Sequence, residues 1–254
     1  MNNYTKTVLE SGVRFDGRKM DELKKPITIE LGVSKNAEGS AKVTWGETEV
    51  VAGIKMSVGT PYPDSPDQGV LITGAELAPM SSPDFETGPP GQQAIELARV
   101  VDRGIRESKM IDTTKLCIKE GELVWTMFLD VYILNDGGNL IDAAALAAVA
   151  ALNSAVFPKL EGDKIKFGEF TKNKLPVNLL PITSTVVKIG DKILVDLSLE
   201  EEKAIDARIT VAVSEKGDVH AMQKGGTVGL TIDEVDQMID LAIKKSKELR
   251  KLIK

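Results

Sequence analysis

A strand, a glycine turn and a helix stand almost back to back around Asn135-Asp136-Gly137-Gly138-Asn139-Leu140-Ile141-Asp142, and few architectures accommodate that order. The apolar run Phe128 to Leu134 before the turn has the composition of a strand. The Ala-rich stretch after it, from about Leu140 to Phe157, reads as a helix that is apolar nearly all round and therefore buried between layers. A glycine turn feeding a helix N-terminus is a ready anion seat, because free backbone N–H groups and the helix dipole both point at it. Yet Leu140 and Ile141 occupy the first helical turn, where an anion binder needs Arg, Lys, Ser or Thr. The scaffold of a phosphate site is present with its side chains removed, the mark of a protein built like an enzyme that does not do the chemistry.

Composition narrows the remaining classes. A chain of 254 residues forms one large domain or two small ones, with an ample core. Its single Cys, Cys117, excludes an internal disulfide and any multi-Cys zinc site, and reads as a small buried hydrophobe. His220 is the only histidine, so His-pair metal sites are absent and the residue is taken as structural. No metal site and no cofactor of the chain's own are expected. A formal charge of −6 means that any contact with a polyanion must come from a local basic cluster. Met1-Asn2-Asn3-Tyr4 begins no signal peptide, and Ala143 to Leu152 is far short of the ~20 residues that span a bilayer. The expectation is a soluble, cytoplasmic protein with no membrane partner.

Residues up to Leu9 read as a loose arm or a short helix. Strand character follows at Ile27–Val33, at Ser40–Trp45 and Glu47–Val58 flanking Gly46, and at Val70–Leu77. Gln92 to Ser108 has a helical period, with Leu97, Val100, Val101 and Ile105 on one side and Arg99, Arg103 and Arg106 on the other. Leu116–Ile118 and Leu123–Leu134 form a second hairpin, and the polar stretch Glu161–Leu175 reads as a connection and candidate boundary. Val177–Lys188, Ile193–Leu197, Ala207–Val213 and Asp218–Met222 make a second set of strands, with a hairpin turn at Gly190-Asp191. Thr231-Ile232-Asp233-Glu234 matches a capping box opening a final helix that ends in Lys244, Lys245, Arg250, Lys251 and Lys254, as its dipole prefers, the terminal lysines reading as a solvated face. Strands followed by a helix in each half predict an α+β fold with sheets packed on helices: an arm over 1–26, a first domain over 27–160 and a second over 176–254.

Several motifs in this order resemble the RNase PH family of phosphorolytic exoribonucleases. Arg14-Phe15-Asp16-Gly17-Arg18 is similar to its N-terminal R-x-D-G-R signature. Gly39-Ser40-Ala41-Lys42-Val43 and Gly46-Glu47-Thr48-Glu49-Val50 resemble its first hairpin. Asp130-Val131 through Asp136-Gly137-Gly138 resembles the strand and loop that carry a Thr-Arg pair, and Asn139 and Leu140 stand at those two positions here. Active members also have a run resembling D-L-D-Y-x-E-D-S-x-x-x-x-D-M, whose last two aspartates serve phosphate, metal or proton handling. Aligned from Asp196-Leu197, this chain has Glu202 and Arg208 there. An Arg neither coordinates a divalent cation nor accepts a proton at neutral pH.

The resemblance implies the RNase PH fold, related to the second domain of ribosomal protein S5. Within the family the pattern most resembles the non-catalytic subunit of the archaeal exosome ring. It implies a homologous catalytic subunit alternating with this one in a six-membered ring, RNA-binding cap subunits, and RNA itself. It also implies that inorganic phosphate, and Mg2+ if used, act in the catalytic partner, and that Arg99, Arg103 and Arg106 help to hold RNA phosphates. Residue by residue, Arg14, Asp16 and Arg18 read as a salt-bridge network ahead of an RNA path. Asp142 reads as a helix-N-terminal acid, and Asp191, Asp196, Glu200, Glu201 and Glu202 as a solvated, partner-facing segment. Two rivals stand beside this reading. One is an active phosphorolytic enzyme with a site rebuilt around Glu202. The other is a nucleotide or metabolite enzyme on an S5-like fold, against which Lys224-Gly225-Gly226-Thr227-Val228-Gly229 lacks the Lys-Ser/Thr of a P-loop.

Overall fold

The computed structural model describes residues 2–253, with side chains from residue 4 onward. The first sheet grows from a hairpin of β2 (Gly39–Trp45) and β3 (Thr48–Gly59), turning at Gly46-Glu47. Residues Thr48 to Met56 of β3 alternate between buried and half-buried, the period-2 signature of a strand with one face on a core. The longest strand, β6 (Leu123–Asn135), pairs antiparallel with β3 and parallel with β4 (Val70–Glu76), giving the order β1-β2-β3-β6-β4, with β1 covering Ile27–Leu31. Short β5 (Cys117–Lys119) pairs with the start of β6. A parallel neighbour needs a crossover, and α2 (Gln92–Glu107) lies within it, burying Leu97, Val100, Val101 and Ile105 as its spacing predicts.

A second sheet, β10-β9-β11-β12, is antiparallel throughout and comprises Lys192–Val195, Ile182–Ile189, Ala207–Val213 and Val219–Gly226. Helix α5 (Ile232–Arg250) packs on β9 and β11, opened by the expected capping box of Thr231 and Glu234. Between the sheets lies α3 (Leu140–Ser154), in contact with β2 and β3 on one side and β9 on the other. Ala143 through Leu152 are all buried, and small side chains let one helix approach two sheets closely. Buried residues of both sheets join into one main core around this helix, and a smaller cluster lies on the far side of the second sheet's β9–β10 hairpin, around Leu9. The fold is α+β with sheets on helices, as expected.

Several local expectations need correction. The Ala-rich helix ends at Ser154, and β-branched Val156 with Pro158 begins β7 (Val156–Glu161). The polar connection is a second strand, β8 (Lys164–Lys174), joined to β7 by Gly162-Asp163, the same turn signal as Gly190-Asp191. Its strand is mostly exposed, so the alternation that marks a buried face is weak there. Strand β9 starts at Ile182, five residues after the expected Val177, which makes only a single bridge to Ile111. Of the two readings of the N-terminal segment the short helix holds: it is α1 (Asn2–Glu10), anchored by fully buried Leu9 against Val187, Ile189, Leu194 and Leu197. Cys117 is half-buried rather than buried. The basic residues of α5 are not one solvated face. Lys245 is buried and pairs with Glu248, Lys244 pairs with Asp21, and Arg250 donates to the carbonyls of Leu180 and Val213, while Lys251 is exposed. Lys254 lies outside the described residues.

Candidate functional site

Five segments converge at the N-terminus of α3: the glycine turn, the stretch from the end of β10 through the short helix α4 (Leu199–Glu202), strands β9 and β11, and the first turns of α2. They enclose a cavity of about 170 Å³ whose walls include Glu96, Asn139, Leu140, Thr185, Glu202 and Arg208. Asn139, Leu140, Glu202 and Arg208, which the sequence marks separately, thus face one space.

The glycine turn is shaped by close approach. Gly138 has φ 86, and a Cβ there would lie 2.5 Å from the Leu197 carbonyl oxygen, so glycine alone lets the turn close on the second sheet's connection. Asn139 follows with φ 62, a left-handed conformation that Asn tolerates better than most residues. Its backbone N–H donates to Glu202 Oε1 at 2.7 Å, and its Nδ2 donates to Asp196 Oδ1 at 3.2 Å. The anion seat of this helix is therefore occupied by the chain's own carboxylate. From the other side Lys24 Nζ donates to the carbonyls of Gly137 (2.8 Å), Gly138 (3.2 Å) and Leu197 (2.8 Å). Thr48 Oγ1 donates to Gly138 O at 2.6 Å and accepts from Gly137 N at 3.1 Å.

Arg208 reaches the cavity from β11, opposite Gly225 on β12. Its Nη2 donates to Glu96 Oε1 of α2 at 2.5 Å, while its buried Nε has no partner among the described residues. Leu140 is buried and contributes only apolar wall. Burial pushes the Glu202 carboxyl up, opposed by the hydrogen bond from Asn139 N–H. Burial likewise pushes Asp136 up. No group of three or more His, Cys, Asp or Glu side chains gathers as a metal site among the described residues.

Asp142 stands in the first turn of α3, as expected, but does more than face the helix dipole. It is buried, accepting from Thr185 N at 2.9 Å and Thr185 Oγ1 at 2.7 Å, so it stitches α3 to β9. Burial raises its carboxyl to about 7. The acidic segment is corrected in the same way. Asp191 and Glu200 are exposed, but Asp196 and Glu201 are buried. Asp196 accepts from Trp45 Nε1 at 2.8 Å and from the backbone of Lys24, and Glu201 receives Arg14. Arg18 pairs with Asp16 at 2.7 Å, so the N-terminal motif is a structural network. No local sequence signal marks Lys24, Trp45 or Thr48 as part of this site. Lys24 meets the glycine turn across 113 residues of chain.

The arginine stripe on α2 divides. Arg99 and Arg103 are exposed and make no ion pair or hydrogen bond among the described residues. Arg106, also exposed, is held by both Asp102 oxygens at 2.9 Å and donates to Leu71 O at 3.0 Å, unlike the other two. The Asp102–Arg106 spacing of i,i+4 is the legible cause.

Two sheets sharing one small-residue helix, with a glycine turn at its start, define a chain of the RNase PH type. Residues 24–158 match the 3′ exoribonuclease family, domain 1, and residues 180–245 match domain 2, so the chain belongs to that family. Relatives named exosome complex component Rrp42 include one from Methanocella arvoryzae, 48% identical over 248 residues, covering 98% of this chain and 93% of that protein. Another, from Thermococcus gammatolerans, is 46% identical and covers 100% of this chain and 93% of that protein. Among solved structures, an Archaeoglobus fulgidus exosome with RNA bound to the active site contains a chain of TM-score 0.90 and 45% identity, covering 100% of this chain and 97% of that one. An archaeal exosome core contains one of TM-score 0.87 and 43% identity, covering 98% of this chain and 94% of that one.

Proposed function

We propose that this chain is a non-catalytic subunit of an exosome, a phosphorolytic 3′→5′ RNA-degrading ring, in which it structures the active site of a catalytic partner and helps to hold RNA. The observation that carries this reading is the seating of Glu202 on the Asn139 N–H beside Leu140 and Arg208. Phosphorolysis needs a bound phosphate and groups that handle its charge and protons. Here the helix N-terminus already holds a carboxylate, and the guanidinium of Arg208 is bound to Glu96. The likeness to chains of archaeal exosomes supports the assembly. The partner is a homologous RNase PH-like subunit alternating with this one in a hexameric ring, with RNA-binding cap subunits above it. Inorganic phosphate, and Mg2+ if used, serve that partner.

Arg99 and Arg103 supply the RNA contact, because their guanidinium groups are exposed and unclaimed. Such contacts go to phosphates, tolerate any base sequence and weaken with salt. Aromatic residues are 4% of the chain, so a series of stacked bases is not the basis of binding. A catalytic site rebuilt around Glu202 gains no support from a carboxylate whose oxygen is already engaged by the backbone.

The test is phosphate-dependent shortening of an unstructured RNA by this chain alone, by its catalytic homologue alone, and by both together. An inert single chain that stimulates the homologue is expected. Release of nucleoside diphosphates by this chain alone would refute the reading.

A further inference from the structure

The first sheet has an outer face on which Ile72, Asp130 and Tyr132 are exposed, and one row across it differs from its neighbours. Asp130, inside β6, stands in register with Gly53 of β3 on one side and with Gly74 of β4 on the other. Glycine inside a strand weakens it, and marks either a bulge, a bend or the close approach of another group. Neither glycine lies at a bulge or has a positive φ. A Cβ at Gly53 would meet nothing within 4 Å, and one at Gly74 would meet only Asp130 Oδ1, at an ordinary 3.6 Å. The chain's own packing therefore asks for glycine at neither position. Strand spacing makes the trough roughly 10 Å across from β3 to β4, with a carboxylate in its middle.

The walls of the trough are the flanking rows, Val51, Tyr132 and Glu76 on one side and Lys55, Phe128 and Ile72 on the other. Asp130 has no ion pair or hydrogen bond among the described residues, and burial and the Glu76 charge push its carboxyl up. The lysines of this face are committed elsewhere: Lys55 Nζ donates to Asn36 O and Glu38 Oε1, and Lys42 pairs with Glu49. A trough with an unmatched negative charge and an aromatic wall calls for a cation from outside. Arginine fits best, since its flat guanidinium can take a carboxylate with two donors and lie against the Tyr132 ring.

We propose that this trough receives an arginine of the catalytic homologue and forms the second of this chain's two contacts in the ring. The proposal rests on the ring reading and deepens it. A subunit of an alternating ring has two neighbours, and exposed Arg99 and Arg103 mark the α2 face as the one turned to the first. The trough lies on the opposite side of the sheet, because Thr73, beside Gly74, turns the other way to donate to Asp102 of α2.

The test mixes the full-length chain with its catalytic homologue and follows assembly by sedimentation. Wild type is expected to close a six-membered ring. Asp130→Arg, which reverses the charge, and Gly53→Leu, which fills the trough, are expected to stop at a one-to-one pair held by the α2 face. Asp130→Asn should raise the concentration needed for ring closure about tenfold. Thermal melts of the isolated variants separate lost contact from lost folding. A photocrosslinking benzoylphenylalanine in place of Tyr132, in an otherwise wild-type chain, is expected to capture an arginine-bearing segment of the homologue whatever the variants do. Rings that close normally with Asp130→Arg, or crosslinks that land on a cap subunit, on RNA or on a second copy of this chain, would overturn the proposal. A wild-type chain that does not associate with the homologue at all sinks the ring reading itself.

Discussion

Arg14 and Glu201 form a two-pronged ion pair out of reach of solvent, with Nε to Oε1 at 2.9 Å and Nη2 to Oε2 at 2.6 Å. The guanidinium also donates to Val195 O (3.1 Å) and Asp196 O (2.8 Å), and more weakly to Lys19 O (3.4 Å) and Glu22 O (3.5 Å), so it ties the N-terminal segment to the second half of the chain. Removing one partner leaves the other charge buried and alone. Arg14→Ala or Glu201→Ala should lower the unfolding free energy by ~3–5 kcal/mol. Arg14→Lys should also destabilise, since an ammonium cannot reproduce the planar fork. Urea unfolding of the three variants checks this, and wild-type stability in Arg14→Ala would show the pair to be dispensable.

Asp142 predicts a pH dependence of stability. Its carboxyl stands at about 7 against an ordinary 3.8, so between these values the folded chain holds a proton that the unfolded chain releases. Its stabilising contribution is whole below the lower value and is lost as pH rises through the upper one. The slope is at most ~1.4 kcal/mol per pH unit. Asp142→Asn keeps the hydrogen bonding to Thr185 without the ionisation, and should flatten the curve over that window. Denaturation at a series of pH values decides it; equal slopes for variant and wild type would assign the proton elsewhere.

The divided arginine stripe predicts unequal effects on RNA. In the assembled complex, Arg99→Ala and Arg103→Ala should each weaken RNA binding at low salt and reduce the salt slope by ~1. Arg106→Ala should change binding less, because its guanidinium serves Asp102 and Leu71. Filter binding across a salt series is the measurement, and equal losses from all three would mean that Arg106 leaves its partners when RNA arrives.

Gly39 lies where β2 meets the shared helix. A Cβ there would stand 2.4 Å from Ala151 O and 2.7 Å from Ala155 Cα, backbone atoms at the end of α3 that cannot step aside. Gly39→Ala should cost ~1–3 kcal/mol or more by overpacking. Gly53→Ala, whose Cβ meets nothing within 4 Å, should stay within ~1 kcal/mol of wild type. Thermal melts of the pair separate local crowding from a general intolerance of the sheet.

The fully apolar Ala143–Leu152 run could only be a helix buried between layers, and the period-2 strands around it supplied those layers. The 3.6-residue period of α2, the Thr231–Glu234 box and the Gly190-Asp191 turn were equally legible, because each rests on neighbours a few residues apart. The β7–β8 hairpin is not legible in the same way, because most of β8 lies exposed and carries little buried alternation.

The chemistry of the candidate site divides along the same line. That Leu140 cannot bind an anion and Arg208 cannot take a proton follows from residue type alone. That Glu202 sits on the Asn139 N–H, that Asp196 and Glu201 are buried rather than solvated, and that Lys24 braces the glycine turn depends on tertiary contacts. These residues lie 63 to 187 positions apart from their partners. Charge and spacing cannot report such pairings, because whether a carboxylate is solvated or paired is decided by the surface that the rest of the chain folds against it.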